Sequence, residues 1–157
     1  MPQKQTIQRA REDKREGKSP TTQAGEFVRE EMHHIREGKH GARSPQQAIA
    51  IGLSKARRAG VEMPPPRRAS AQTREKAERD EERGQSGSRR NPSPKRSRAV
   101  RAALKKEPRS SASRKSLARQ GHQAAMRRGK ADRSRAAKKA ASTRKATQSR
   151  TRRSRAM

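Results

Sequence analysis

Between Arg83 and Met157 the chain carries 26 lysines and arginines and only two acids, Glu107 and Asp132. Of the formal net charge of +29, 24 charges therefore fall in less than half of the 157 residues. Like charges at that density oppose any compact state unless a polyanion or its counterions neutralise them. A polyanionic partner is the first expectation. Only 25% of the residues are apolar and Phe27 is the single aromatic. Ordering a residue costs roughly 1 to 2 kcal/mol of backbone entropy, which so little apolar surface offsets over only part of the chain. The basic C-terminal region is accordingly expected to be largely disordered when free.

A fold is expected where the large apolar side chains are. Residues 1–63 hold nearly all of them, with 13 basic against 8 acidic side chains. The expected organisation is a small all-α module over 1–63, a Pro-rich and charged linker over 64–82 that opens with Pro64, Pro65 and Pro66, and a disordered polybasic tail over 83–157. Within the linker, Gln72 to Arg83 mixes Glu, Arg and Lys and reads as a solvated helix or as a disordered linker.

Three helices are expected in the module, near Lys4 to Glu16, Thr22 to Glu37 and Pro45 to Ala59. At 100° per residue, Ala24, Phe27, Val28, Met32 and Ile35 share one face, with Thr22 as cap and Gly38 as stop. The third helix has the clearest signals. Ser44, Pro45 and Gln47 form a capping-box start, Ala48, Ile49, Ile51, Leu53, Ala56 and Ala59 an apolar face, and Gly60 with Pro64 an end. An internal echo supports this layout, because Arg15-Glu16-Gly17-Lys18 before Ser19-Pro20 returns as Arg36-Glu37-Gly38-Lys39 before Ser44-Pro45. The core is thin: Ile7, Phe27, Val28, Met32, Ile35, Ile49, Ile51, Leu53 and Val61. Self-association through these helices, or ordering on a partner, is expected to assist it.

The tail is punctuated by basic pairs: Arg89 and Arg90, Lys95 and Arg96, Lys105 and Lys106, Arg114 and Lys115, Arg127 and Arg128, Lys138 and Lys139, Arg152 and Arg153. A flexible polycation binds DNA or RNA by releasing condensed counterions, whereas a solubilising or localising tail is the plainer reading. With no aromatic in the tail, bases have no stacking platform, which favours duplex or structured backbones. Arg98 to Lys106 and Lys115 to Arg128 are rich in helix formers and are expected to become helical on a polyanion. Ser93-Pro94-Lys95-Arg96 is similar to the Ser-Pro-basic-basic turns of linker-histone tails.

Gly38-Lys39-His40-Gly41-Ala42-Arg43-Ser44 sets two glycines and three potential cations before a helix N-terminus, where free N–H groups favour phosphate. Lys39 and Arg43 are candidate backbone-phosphate contacts, and Arg57 and Arg58 would extend the basic surface. The segment lacks the Gly-Lys-Ser/Thr ending of a nucleotide-binding loop. His33, His34 and His40 lie near Glu30 and Glu37, but neighbouring His33 and His34 project about 100° apart, so no metal site is expected. No catalytic constellation stands out, and no enzyme activity or cofactor is expected. Cysteine is absent.

The stretch from Thr22 to Val61, TQAGEFVREEMHHIREGKHGARSPQQAIAIGLSKARRAGV, resembles the DUF6496 family of small basic bacterial proteins of unknown function, with a looser likeness over Gln5 to Lys18. The resemblance implies a bacterial, nucleic-acid-associated protein and brings no catalytic residue. Ala136 to Arg155 resembles, in composition, the tails of bacterial histone-H1-like proteins. The expectation is a non-enzymatic, sequence-nonspecific binder of nucleic acid, DNA first and RNA next, cytoplasmic, with nucleoid association and compaction as the roles such binding would serve. The alternative is a protein-interaction module that its basic tail tethers to RNA or ribosomes. With no apolar run at the start, neither signal peptide nor membrane span is expected.

Overall fold

The computed structural model describes residues 2–65, 69–86 and 93–155, with side chains through 145 and at 148. All its regular elements are helical: α1 (Lys4–Arg15), α2 (Pro20–Arg36), α3 (Pro45–Arg58), α4 (Ala71–Gln85), α5 (Pro94–Lys106), a single 3-10 turn (Arg109–Ala112), α6 (Arg114–Met126) and α7 (Lys130–Arg155). The chain divides into two units, Met1–Leu117 and Ala118–Met157.

Local chemistry sets the first three helices. Each ends in a glycine of positive φ, 71° at Gly17, 77° at Gly38 and 89° at Gly60, a conformation that glycine adopts without steric cost. The following residue closes the stop: Lys18 N–H donates to the Asp13 carbonyl, Lys39 to His34 and Val61 to Ala56, the six-to-one bond of a Schellman motif. Gly17, Gly38 and Gly60 themselves donate to Lys14, Ile35 and Arg57. The echoed Arg-Glu-Gly-Lys is thus a repeated stop. Helix α2 begins at Pro20 behind Ser19 rather than at Thr22, because proline at the first helical position has its φ already set. At α3 the capping chemistry is as expected, with Ser44 Oγ accepting from Gln47 N–H at 3.2 Å and Gln47 Oε1 from Arg43 N–H at 2.7 Å.

Two apolar clusters hold the first unit. Ala10, Ala24, Phe27, Ala56, Val61 and Met63 form one, with Ile7, Leu53 and Ala59 against it. Met32, Ile35, Ala42, Ala48 and Ala112 form the other, with Val28, Ile49 and Leu117. Eight of the nine expected core residues take part; Ile51 is half-buried outside both clusters. Small residues let the backbones approach closely. A Cβ on Gly52 would stand 2.7 Å from Val28 Cα, and one on Gly84 2.1 Å from the Arg57 carbonyl oxygen.

Of the two readings of Gln72 to Arg83 the structure takes the helix, α4, mostly exposed but with Ala77 and Asp80 buried on α3, where Asp80 accepts from Ser54 Oγ and pairs with Arg58. The first unit runs on to Leu117, past the residue-63 end expected for the small module, and the basic region is helical over its described residues. Its helices form because Ala, Arg, Lys and Gln are good helix formers and Ser113 caps α6 through Ser116 N–H at 3.2 Å. The segment from Leu104 to Leu117 also finds partners on the module. Gly41 N–H donates to the Leu104 carbonyl at 2.8 Å, Ala42 N–H to Pro108 at 3.1 Å, and Arg36 Nε to Ala112 at 2.9 Å.

Candidate nucleic-acid interface

Helix α5 presents its cations to solvent: Lys95, Arg96, Arg98, Arg101, Lys105 and Lys106 are all exposed or nearly so, and none is in an ion pair among the described residues. Its Val100 is 53% exposed, so α5 has no fully apolar side of its own. Arg114 and Lys115 open α6 and are exposed as well. Near them Arg36, Arg109, Ala112, Ser113 and Arg114 line a shallow depression. Arg36 and Arg109 were absent from the expected contacts. The Arg109 side chain lies over Gly38, its Nη1 2.9 Å from where a Cβ would be, beside the C-terminal carbonyls of α2, which favour a cation. For Arg109 the signal was the Gly38 stop itself, which leaves room for a long side chain.

In the second unit helix α7 runs for 26 residues, about 39 Å at 1.5 Å per residue, close to one turn of duplex DNA. Lys138 and Lys139 are exposed on it, as are Lys130, Arg133, Arg144 and Lys145, and Arg127 and Arg128 are exposed in the turn before it. Asp132, the one acid of this unit, pairs with Arg135. The cations are spread around most of the helix, and alanines fill much of the remainder. Arg152 and Arg153 lie in the helical backbone of α7, but their side chains are outside the described set; Arg89 and Arg90 lie outside the described residues.

The candidates in the module behave differently from one another. Arg57 is buried, 8% exposed, and its Nε donates to the Met63 carbonyl at 3.3 Å. It holds the chain after α3 and is corrected from a surface cation to a structural one. Arg58 points outward but is engaged by Ser54 and, at 3.6 Å, by Asp80. Lys39 is exposed and pairs with Glu37 at 2.9 Å; this ammonium holds the Glu37 carboxyl below its usual range. Arg43 is exposed. Within the expected phosphate-contact segment Gly38 to Ser44, the N–H groups of Gly41 and Ala42 bond the Leu104 and Pro108 carbonyls, so they are not open to an anion.

Four acids, Glu26, Glu30, Glu31 and Asp80, are buried, whereas Glu16, Glu37, Glu62, Glu75, Glu78, Glu82 and Asp132 are exposed. Glu30 Oε2 accepts from the Gln3 backbone N–H at 3.1 Å, next to the start of α1 where a carboxylate suits the helix dipole. Glu31 is fully buried and pairs with Lys55 at 2.5 Å. His34 and His40 flank these carboxylates, while His33 is exposed. Burial, then the nearby Lys55 and Lys39 charges, lower the His34 pKa below its ordinary value, so the ring is neutral at neutral pH.

Residues 15–67 match the DUF6496 model, a family of unknown function. The match covers α2, α3 and the turns that stop them, and so supports the resemblance read from Thr22 to Val61. No curated protein and no solved structure matches the chain. No helix among the described residues is long and apolar enough to cross a membrane.

Proposed function

We propose that the chain is a non-enzymatic protein that binds nucleic-acid backbones, DNA foremost, without reading sequence. One observation carries this: on α5 and α7 the described cations face solvent, and only Arg135 is in an ion pair there, with Asp132, the single acid of α7. Unpaired surface cations bind phosphate by displacing condensed counterions, which ties affinity to ionic strength rather than to base sequence. Long cationic helices without aromatic side chains fit the outside of a duplex better than a single strand, whose bases call for stacking partners. The reading extends to a cytoplasmic, nucleoid-associated protein of bacterial origin.

Gel shifts over a range of salt, on the whole chain and on a chain ending at Leu117, test this. The whole chain is expected to bind unrelated duplexes of equal length alike, with a steep fall in affinity as salt rises, and the shortened chain to bind more weakly with a shallower salt dependence. An unchanged salt dependence after removal of residues 118–157 would refute the role given to α7. Treating nucleic acid that copurifies with the protein with DNase or RNase distinguishes DNA from RNA.

A further inference from the structure

We infer that Glu31, His34 and His40 form a binding site for one divalent transition-metal ion, of the zinc type, that clamps the α2–α3 turn onto the end of α2. Glu31 and His34 stand three residues apart on α2 and so share a face. Gly38, at φ 77°, turns the chain back so that His40 lies over that face. One ligand atom from each of the three residues lies within 4.8 Å of the others, and His40 Nε2 is already 3.3 Å from Glu31 Oε1. Two ligands on a tetrahedral ion with bonds of about 2.0 to 2.1 Å stand roughly 3.3 to 3.4 Å apart. The Glu31–His40 edge therefore has the dimension of a coordination polyhedron, and His34 needs to close in by little more than an ångström.

Proton positions point the same way. His40 Nδ1 lies 3.0 Å from the Gly41 carbonyl oxygen, which only accepts, so Nδ1 carries the hydrogen. His40 Nε2 then faces a carboxylate oxygen at 3.3 Å, a pair that a proton on Nε2 or a bound cation satisfies. Glu31 is 0% exposed, and its Oε1 has no hydrogen-bond partner. Its other oxygen is occupied by Lys55. Glu30 Oε1, 3.8 Å from His34 Nε2, is likewise buried without a hydrogen bond. Two buried carboxylate oxygens without hydrogen bonds thus lie beside two imidazoles, a set of oxygen and nitrogen donors of the kind a dication takes.

The surroundings resemble a metal site's outer layer. The Gly41 carbonyl fixes the tautomer of His40, and Lys55 orients Glu31, the roles outer groups play around ligating histidines and carboxylates. Two imidazoles and a carboxylate suit zinc, cobalt or nickel, whereas magnesium and calcium prefer an all-oxygen shell. The weakness seen from sequence, the divergence of His33 and His34, falls away because His33 takes no part: it is exposed, and the third ligand comes from beyond the glycine turn. An ion here would rigidify Gly41 and Ala42, whose N–H groups hold the segment from Leu104 to Pro108.

The experiment uses the whole chain, freed of nucleic acid and of metal with nuclease, high salt and a chelator. Zinc is titrated by calorimetry, and cobalt by its visible d–d absorption. One ion per chain is expected, with tetrahedral cobalt bands and a zinc-dependent rise in Tm. His34→Ala and His40→Ala, each checked for native helix content by circular dichroism, are expected to weaken binding at least tenfold and to abolish the rise in Tm. His33→Ala and His122→Ala are expected to bind as the parent chain does. Should a variant lose its helices, His40→Gln, which keeps a polar side chain on the turn, takes its place. Absence of saturable binding by the parent chain, or binding by the His34 and His40 variants as tight as the parent's, overturns the site.

Discussion

At Gly52 a single hydrogen atom sets the spacing between two helices, for the Cβ of any other residue would meet Val28 Cα at 2.7 Å and Val28 N at 3.0 Å. Backbone atoms cannot give way as a side-chain tip can. Gly52→Ala is therefore expected to destabilise the first unit by about 1 to 3 kcal/mol, the usual range for overpacking, despite alanine's better helix propensity; urea unfolding followed by circular dichroism measures it. Arg57 illustrates a second point. Its guanidinium bonds the Met63 carbonyl from a buried position, so Arg57→Ala should lower stability by about 1 to 3 kcal/mol and leave the salt dependence of DNA binding unchanged. Lys138→Gln with Lys139→Gln should do the reverse, and unfolding and gel-shift titrations on both variants show which holds. In the sequence Arg57 and Arg58 look like one basic pair. Adjacent positions on a helix point about 100° apart, so the two could not share one surroundings, and only the packing of α3 decides which of them faces inward. The grouping of Glu31, His34 and His40 was hidden for a related reason, since it depends on where the chain goes after Gly38.

Among the elements, α1 to α3 were legible because their punctuation is local: Ser-Pro starts, a capping Gln47, and the Arg-Glu-Gly-Lys stops whose glycines take positive φ. The docking of α5 and the 3-10 turn was not legible. It rests on Gly41, Ala42 and Ala112, small residues that leave no periodic apolar signature, and on main-chain bonds to Leu104 and Pro108 that any residue could make. Helix α7 carries no such mark: a dense cationic run signals repulsion, while its alanines and its Ser142 and Thr143 hydroxyls, both bonded to the Lys139 carbonyl, are accommodated within a local helix. The docked segment makes a test at this scale. A Cβ at position 41 would fall 1.8 Å from the Glu107 carbonyl oxygen, so Gly41→Ala is expected to lift residues 104–108 from the module. Limited trypsin digestion should then cut after Lys105 and Lys106 several times faster than in the parent chain. Equal cleavage rates in the two chains would mean that the close approach at Gly41 is not what holds the segment.

For the molecule as a whole, the positive charge is concentrated beyond residue 83 but is not confined to the second unit. Residues 1–117 hold 30 of the 44 basic side chains and 14 of the 15 acids, so a chain ending at Leu117 still has a large positive excess. It is expected to keep measurable, weaker binding to DNA. Replacing Lys95, Arg96, Lys105 and Lys106 by Gln in that shortened chain should remove most of what is left, since each phosphate that is no longer neutralised takes about 0.9 from the slope of log K against log salt; gel shifts at four or five salt concentrations give the slopes. Because Ala112 and Leu117 belong to the same apolar cluster as Met32 and Ile35, the basic segment is partly a cover for the module's core. A chain severed near the proline-rich junction would lose that cover, and molecules so shortened should cling to one another through the bared patch, so that precipitation would be mistaken for a loss of affinity.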